Sequence, residues 1–124
     1  MPDIKRLLEL IDRLTTMSAE NKVPWTETSD EKTFQATLNL YTVTVACEYA
    51  GQNWGEDVYI HVIRIHDAVG KLLDSATERD FSGMHLRRGV LAEEALRDLY
   101  DNARRKALKV DEALDDLLGS LGNL

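Results

Sequence analysis

The residues that could do chemistry in this chain are few: three histidines, one cysteine and a run of arginines and lysines. His61 and His66 stand five apart in a stretch that reads as a strand. Strand side chains five apart point to opposite faces, so these two cannot close on one metal ion, and they read as surface or edge histidines. His85 sits beside Arg87 and Arg88 in a polar loop, where it is either solvent-exposed or part of an anion contact. Cys47 has no histidine at a useful spacing and alternates with Val43 and Val45. That pattern predicts a small buried side chain and not a nucleophile.

The remaining signals are also structural. Asp67-x-x-Gly70 is a turn and lacks the run of carboxylates that a calcium loop needs. Gly51 and Gly55 bracket a hairpin and are not followed by a helix, so they form no phosphate cradle. The basic group Arg87, Arg88, Arg104, Arg105, Lys106 and Lys109 could hold a carboxylate or phosphate. It equally suits a solvated helix end, where cations complement the dipole. No catalytic, metal-binding or cofactor-binding constellation emerges.

The chain has 124 residues, 44% hydrophobic and 30% charged, with a net charge of −7. This is the composition of one globular domain. The acidity disfavours a nucleic-acid or anionic-membrane surface. One cysteine cannot form an internal disulfide. The N-terminus lacks the apolar run of a signal peptide, and no segment approaches the roughly 20 apolar residues of a membrane span. The expected compartment is the cytoplasm.

The elements that must position these residues follow from periodicity. Ile4, Leu7, Leu8, Ile11 and Leu14 predict a helix over residues 2–17, capped by Asp3. Residues 18–32 read as a connection in which Trp25 plugs the edge of the core. Phe34, Ala36, Leu38 and Leu40 alternate, then Tyr41, Val43, Val45 and Cys47 alternate in the opposite phase. A one-residue slip turns every side chain over, so a bulge or tight bend is expected at 39–41. Residues 51–55 read as a loop, 58–66 as a central strand, and 71–77 as a weaker strand with Leu73 facing inward. Residues 78–89 read as a polar loop. Strands joined by short turns make an antiparallel meander.

The last third carries apolar residues at Leu96, Leu99, Ala103, Ala107, Val110, Leu114, Leu117 and Leu121. That is one face of a helix. A basic cluster (Arg104, Arg105, Lys106, Lys109) precedes an acidic one (Asp111, Glu112, Asp115, Asp116). Cations favour helix ends and anions helix starts, so a break at 109–111 with Asp111 as a new cap is expected. Alanines line the first part and leucines the second, and Gly119 and Gly122 are expected to end the helix. The fold class is therefore α+β: an N-terminal helix, an antiparallel meander of three to four strands, and one kinked or two separate C-terminal helices on one sheet face. One domain spans 1–124, with 111–124 as a candidate interaction tail.

Trp25, Phe34-x-Ala36, Asp67-x-x-Gly70 and Leu99-Tyr100-x-x-Ala103-Arg104-Arg105-x-Ala107-x-x-Val110-Asp111-x-x-Leu114 form an ordered set. With it, nearly the whole chain resembles a family of small bacterial proteins with a helix–meander–helix layout, a resemblance that carries no activity. Size and acidity are also similar to those of dimeric, effector-binding secretion chaperones. Their topology, however, adds strands after a middle helix, and this sequence has none.

The expectation is a non-enzymatic interaction or accessory module that self-associates, as a homodimer, or binds another protein. The candidate interaction residues are Tyr100, Arg104, Arg105, Leu114, Leu117, Leu118 and Leu121. The alternative is a small anionic-ligand or peptide binder around Arg104, with Arg87, Arg88 and His85 as anion contacts.

Overall fold

The structure, a computed structural model, describes residues 2–87 and 89–122. Helix α1 (Ile4–Ala19) begins where Asp3 accepts a hydrogen bond from the Arg6 N–H. Its apolar face buries Leu7, Ile11 and Leu14. Five strands follow: β1 (Thr26–Glu27), β2 (Thr33–Leu38), β3 (Tyr41–Asn53), β4 (Glu56–His66) and β5 (Leu72–Thr77). They form one antiparallel sheet in chain order. A 3-10 turn (Glu78–Phe81) leads to α2 (Ala92–Ala107) and α3 (Val110–Gly122). All strands precede α2, which sets this α+β topology apart from one that resumes its sheet after a middle helix.

The phase change at 39–41 is a tight turn with Asn39 at φ 59. It separates β2 from β3, which is one reason the sheet has five strands and not three or four. The other is β1, two residues that pair with β2 after Trp25. Trp25 is buried, and its indole N–H donates to Ser18 Oγ at 3.0 Å.

Residues 51–53 are not loop but strand. They continue β3 past a bulge between Tyr49 and Gly51, and the turn shrinks to Trp54 and Gly55. Leu73 does not face inward. The β4–β5 register slips between Ile65 and His66, which leaves Leu73 as the unpaired extra residue, half-exposed. Ala76 takes the inward place. The segment after β5 is not merely polar, because it buries Glu78, Phe81 and Leu86.

The inner sheet face presents Phe34, Ala36, Val43, Val45, Ile63 and Ala76 to the helices. Helix α2 lies on this face through Ala92, Ala95, Leu96, Leu99 and Ala103, all buried. The alanines let its backbone approach the sheet closely, and α1 packs beside it. The outer face has no helix layer. It carries Thr33, Gln35, Thr42, Thr44 and Thr77, crossed by a two-pronged Arg64–Glu48 pair with both bonds at 2.8 Å. That diagonal passes over Ala46 and Val62, which face each other and are buried. The long stems shield apolar neighbours while the charged heads stay wet.

The break in the last helix is real but lies slightly earlier than the charge pattern implies. Helix α2 ends at Ala107 with Leu108 as its cap, and Lys109 takes φ 55 before α3 begins. A left-handed residue just past the end is the usual way a helix stops. Asp111 does not cap α3. It sits in the first turn and accepts an ion pair from Arg105 across the break. Gly119 lies inside α3, which runs on to Gly122.

Trp54 and Gly55 have φ of 54 and 80, the mirror-image turn that suits a two-residue hairpin. Tryptophan is a poor occupant of the left-handed region, and its side chain is fully solvent-exposed. Trp54→Asn should therefore raise unfolding stability by about 0.5–1 kcal/mol in urea denaturation. A loss of stability would show that the indole packs in solution.

Candidate functional site

Glu78 is a buried charge held at the junction of three elements. Its side-chain oxygens accept from the His61 backbone N–H at 2.9 Å, from His61 Nδ1 at 3.2 Å and from Arg97 Nε at 2.8 Å. An ionised carboxylate only accepts, so Nδ1 of His61 carries the proton. The bond to the His61 backbone occurs where β5 has run out. Thr77 pairs with Val62, and the next outward N–H of β4 is taken by Glu78. The same carboxylate thus ends the β4–β5 ladder and ties α2 to the sheet through Arg97. Burial pushes its carboxyl up, but the hydrogen bonds from His61 and Arg97 outweigh that and hold it below the usual range.

His61 faces Cys47 across β3 and β4. Their backbone N–H groups point apart, one to Glu78 and the other to the Lys32 carbonyl. Such a pair is the close kind, with side chains near each other. The ring of Tyr100 lies 5.2 Å from His61 and 5.7 Å from Phe34, centroid to centroid. Sequence spacing hid this group, because 13 residues of hairpin separate Cys47 from His61 and only the register brings them opposite. The strand phase was the available signal: Cys47 and His61 each continue a face that Val45 and Ile63 begin.

The order cysteine, histidine, carboxylate is that of a nucleophile, a base and its orienting group. Here the first link is missing. Among the described residues Cys47 Sγ makes no hydrogen bond, and burial pushes its thiol up, only partly opposed by Lys32. An activated nucleophile needs a thiol held down. Among the described residues no group of three or more His, Cys, Asp or Glu is arranged to hold a metal.

The residues expected to bind an anion do not converge. His85 and Arg87 line a cavity of about 210 Å³ against α1, beside Lys5, Arg13 and the carboxylates Glu9 and Asp12. Arg88 lies outside the described residues. Arg104 lines a separate groove of about 470 Å³ with Phe34, Tyr100, Lys32 and Leu108. Arg105 faces a third space and is engaged by Asp111. A helix turns 100° per residue, so adjacent arginines diverge. Tyr100 packs over the inner sheet face, against Phe34 of β2 and His61 of β4 and not at a sheet edge, and burial raises its phenol.

Ala103 is the last buried residue of α2, and from Arg104 onward the described residues are exposed or half-buried. Helix α3 buries none of its residues, and Leu114, Leu117, Leu118 and Leu121 are 46%, 60%, 67% and 63% exposed. At 100° per residue Glu112, Asp115 and Asp116 lie away from the leucines, and Asp111 borders the stripe beside Leu118. Comparison of the chain with protein-family models, curated proteins and solved structures finds no match.

Two outcomes test the site. Glu78 has its folded pKa depressed, so its contribution is present above the unfolded value of about 4.3 and is lost as pH falls through the lower folded value. Glu78→Gln should cost about 2 kcal/mol at pH 7, and the gap from the parent chain should close below about pH 4; a gap independent of pH contradicts the assignment. Cys47 should alkylate with iodoacetamide more slowly than a free thiol at pH 7, with a rate still rising as pH passes the ordinary thiol value of about 8.5. Rapid reaction at neutral pH would restore the nucleophile.

Proposed function

We propose that the protein is a non-enzymatic interaction module of the cytoplasm and that α3 is its docking element. The carrying observation is the exposure of α3: 13 residues with no buried side chain and four leucines in solvent. A helix of this length is marginal in water even with good helix formers. Gly119 and Gly122 weaken it further, each by about 1 kcal/mol relative to alanine. Nothing in the domain core compensates, so its apolar stripe calls for a covering surface. No helix among the described residues is long and apolar enough to cross a membrane. The four carboxylates of α3 and the net charge of −7 also disfavour an anionic lipid surface, and a protein surface is the partner proposed for this stripe.

The missing cysteine–histidine link supports the non-enzymatic reading. The anionic-ligand alternative is weaker. Its groove at Arg104 is also lined by Glu27, Asp30 and Glu31, and three carboxylates beside two cations do not favour an anion.

A docking element should be dispensable for folding. A chain ending at Lys109 should unfold cooperatively within about 3 °C of the full chain, since exposed residues rarely carry more than about 0.5 kcal/mol. Circular dichroism during heating gives the comparison. A truncated chain that fails to fold, or melts far lower, would make α3 part of the core and end this reading.

A further inference from the structure

We infer that the surface covering α3 is the α3 of a second copy, packed antiparallel; the inference rests on the docking role proposed above. The apolar stripe reads the same in both directions. Val110, Leu114, Leu117 and Leu121 are spaced four, three and four apart, so a two-fold axis between residues 115 and 116 sets Val110 against Leu121 and Leu114 against Leu117. The same axis sets Ala113 against Leu118. Each apolar side chain then meets an apolar one. That self-complementarity is what an isologous contact requires, where one patch serves both partners.

Charge selects the antiparallel direction. The four carboxylates of α3, Asp111, Glu112, Asp115 and Asp116, all lie in its first half, and the half from Leu117 to Gly122 carries no charge. A parallel pair would set eight carboxylates side by side. An antiparallel pair sets Asp111 and Glu112 level with the uncharged Ser120 and Gly119 of the other copy, and leaves only Asp115 and Asp116 level with each other at the axis, on the side away from the leucine seam. It also brings Lys109, at the start of each α3, to the carbonyl end of its partner, where a cation is favourable. Each chain carries a net charge of −7, and the antiparallel direction puts the two domains at opposite ends of the helix pair.

The contact is small. Two 13-residue helices run together for about 20 Å and bury less than the roughly 1,200 Å² of a standard interface. Association should therefore depend on concentration. In light scattering coupled to size exclusion, the full chain should approach twice the chain mass between about 10 µM and 1 mM. The double variant Leu114→Asp/Leu117→Asp should stay at the monomer mass. Both leucines are exposed in the single chain, so this variant should still fold.

Direction is read by oxidative cross-linking in a Cys47→Ala background. A mixture of Val110→Cys chains with Leu121→Cys chains should give a disulfide-linked pair. Leu121→Cys chains alone should not, because the axis sets the two copies of residue 121 at opposite ends. Monomer mass throughout the concentration range overturns self-pairing, whereas the docking role is judged separately by the stability of the chain ending at Lys109. A dimer in which Leu121→Cys links to itself overturns the antiparallel arrangement.

Discussion

The bond network of Glu78 is the constraint on which the rest of the structure leans. A carboxylate this deep in a protein is tolerated only when its acceptors are filled. Here a strand N–H, an imidazole and a guanidinium fill them. The three donors come from β4 and α2, and the acceptor comes from the turn that follows β5. Satisfying one charge therefore fixes the end of the sheet ladder and the position of α2 on the inner face. With α2 set, Tyr100 is pressed against His61 and Phe34. The direction in which α2 leaves the core also decides where α3 begins.

The same network accounts for the meeting of a histidine, a carboxylate and a cysteine without a thiol–imidazole hydrogen bond among the described residues. The three come together where adjacent elements are tied by Glu78. His61 donates a ring hydrogen bond to Glu78, Cys47 contributes bulk beside it, and desolvation pushes its thiol up. At the end of the chain, where the docking role is proposed, the leucine spacing persists but the core no longer lies beneath it. Lys109 in the left-handed conformation turns α3 away from the sheet, and the Arg105–Asp111 pair spans the turn.

Much of the fold was legible in the residues. The spacing of Leu7, Ile11 and Leu14 placed α1, and the phase change after Leu38 placed a reversal. The charge inversion around Lys109 placed the helix break within two residues. Three features were not legible, each for a definite reason. Strand β1 has two residues, too few for a period. Leu73 alternates correctly but falls on a register slip that sequence does not record. Asp111 has the residue type of a cap, yet its carboxylate serves Arg105. Among the site residues, the leucines of α3 were identifiable from spacing and charge. The cluster around Glu78 was not, because Glu78 stands in a stretch whose composition is polar and whose burial comes only from its partners.

The sequence by itself determined the elements, the inner and outer faces of the strands, and the amphipathic character of α3, because these depend on the periods of helix and strand. Tertiary structure alone decided which of those faces find cover. Register set Cys47 opposite His61. The end of β5 exposed a strand N–H to Glu78. The exit of α2 left the stripe from Val110 to Leu121 beyond the core. Burial is a property of what lies across from a residue, and a one-dimensional pattern carries no record of that.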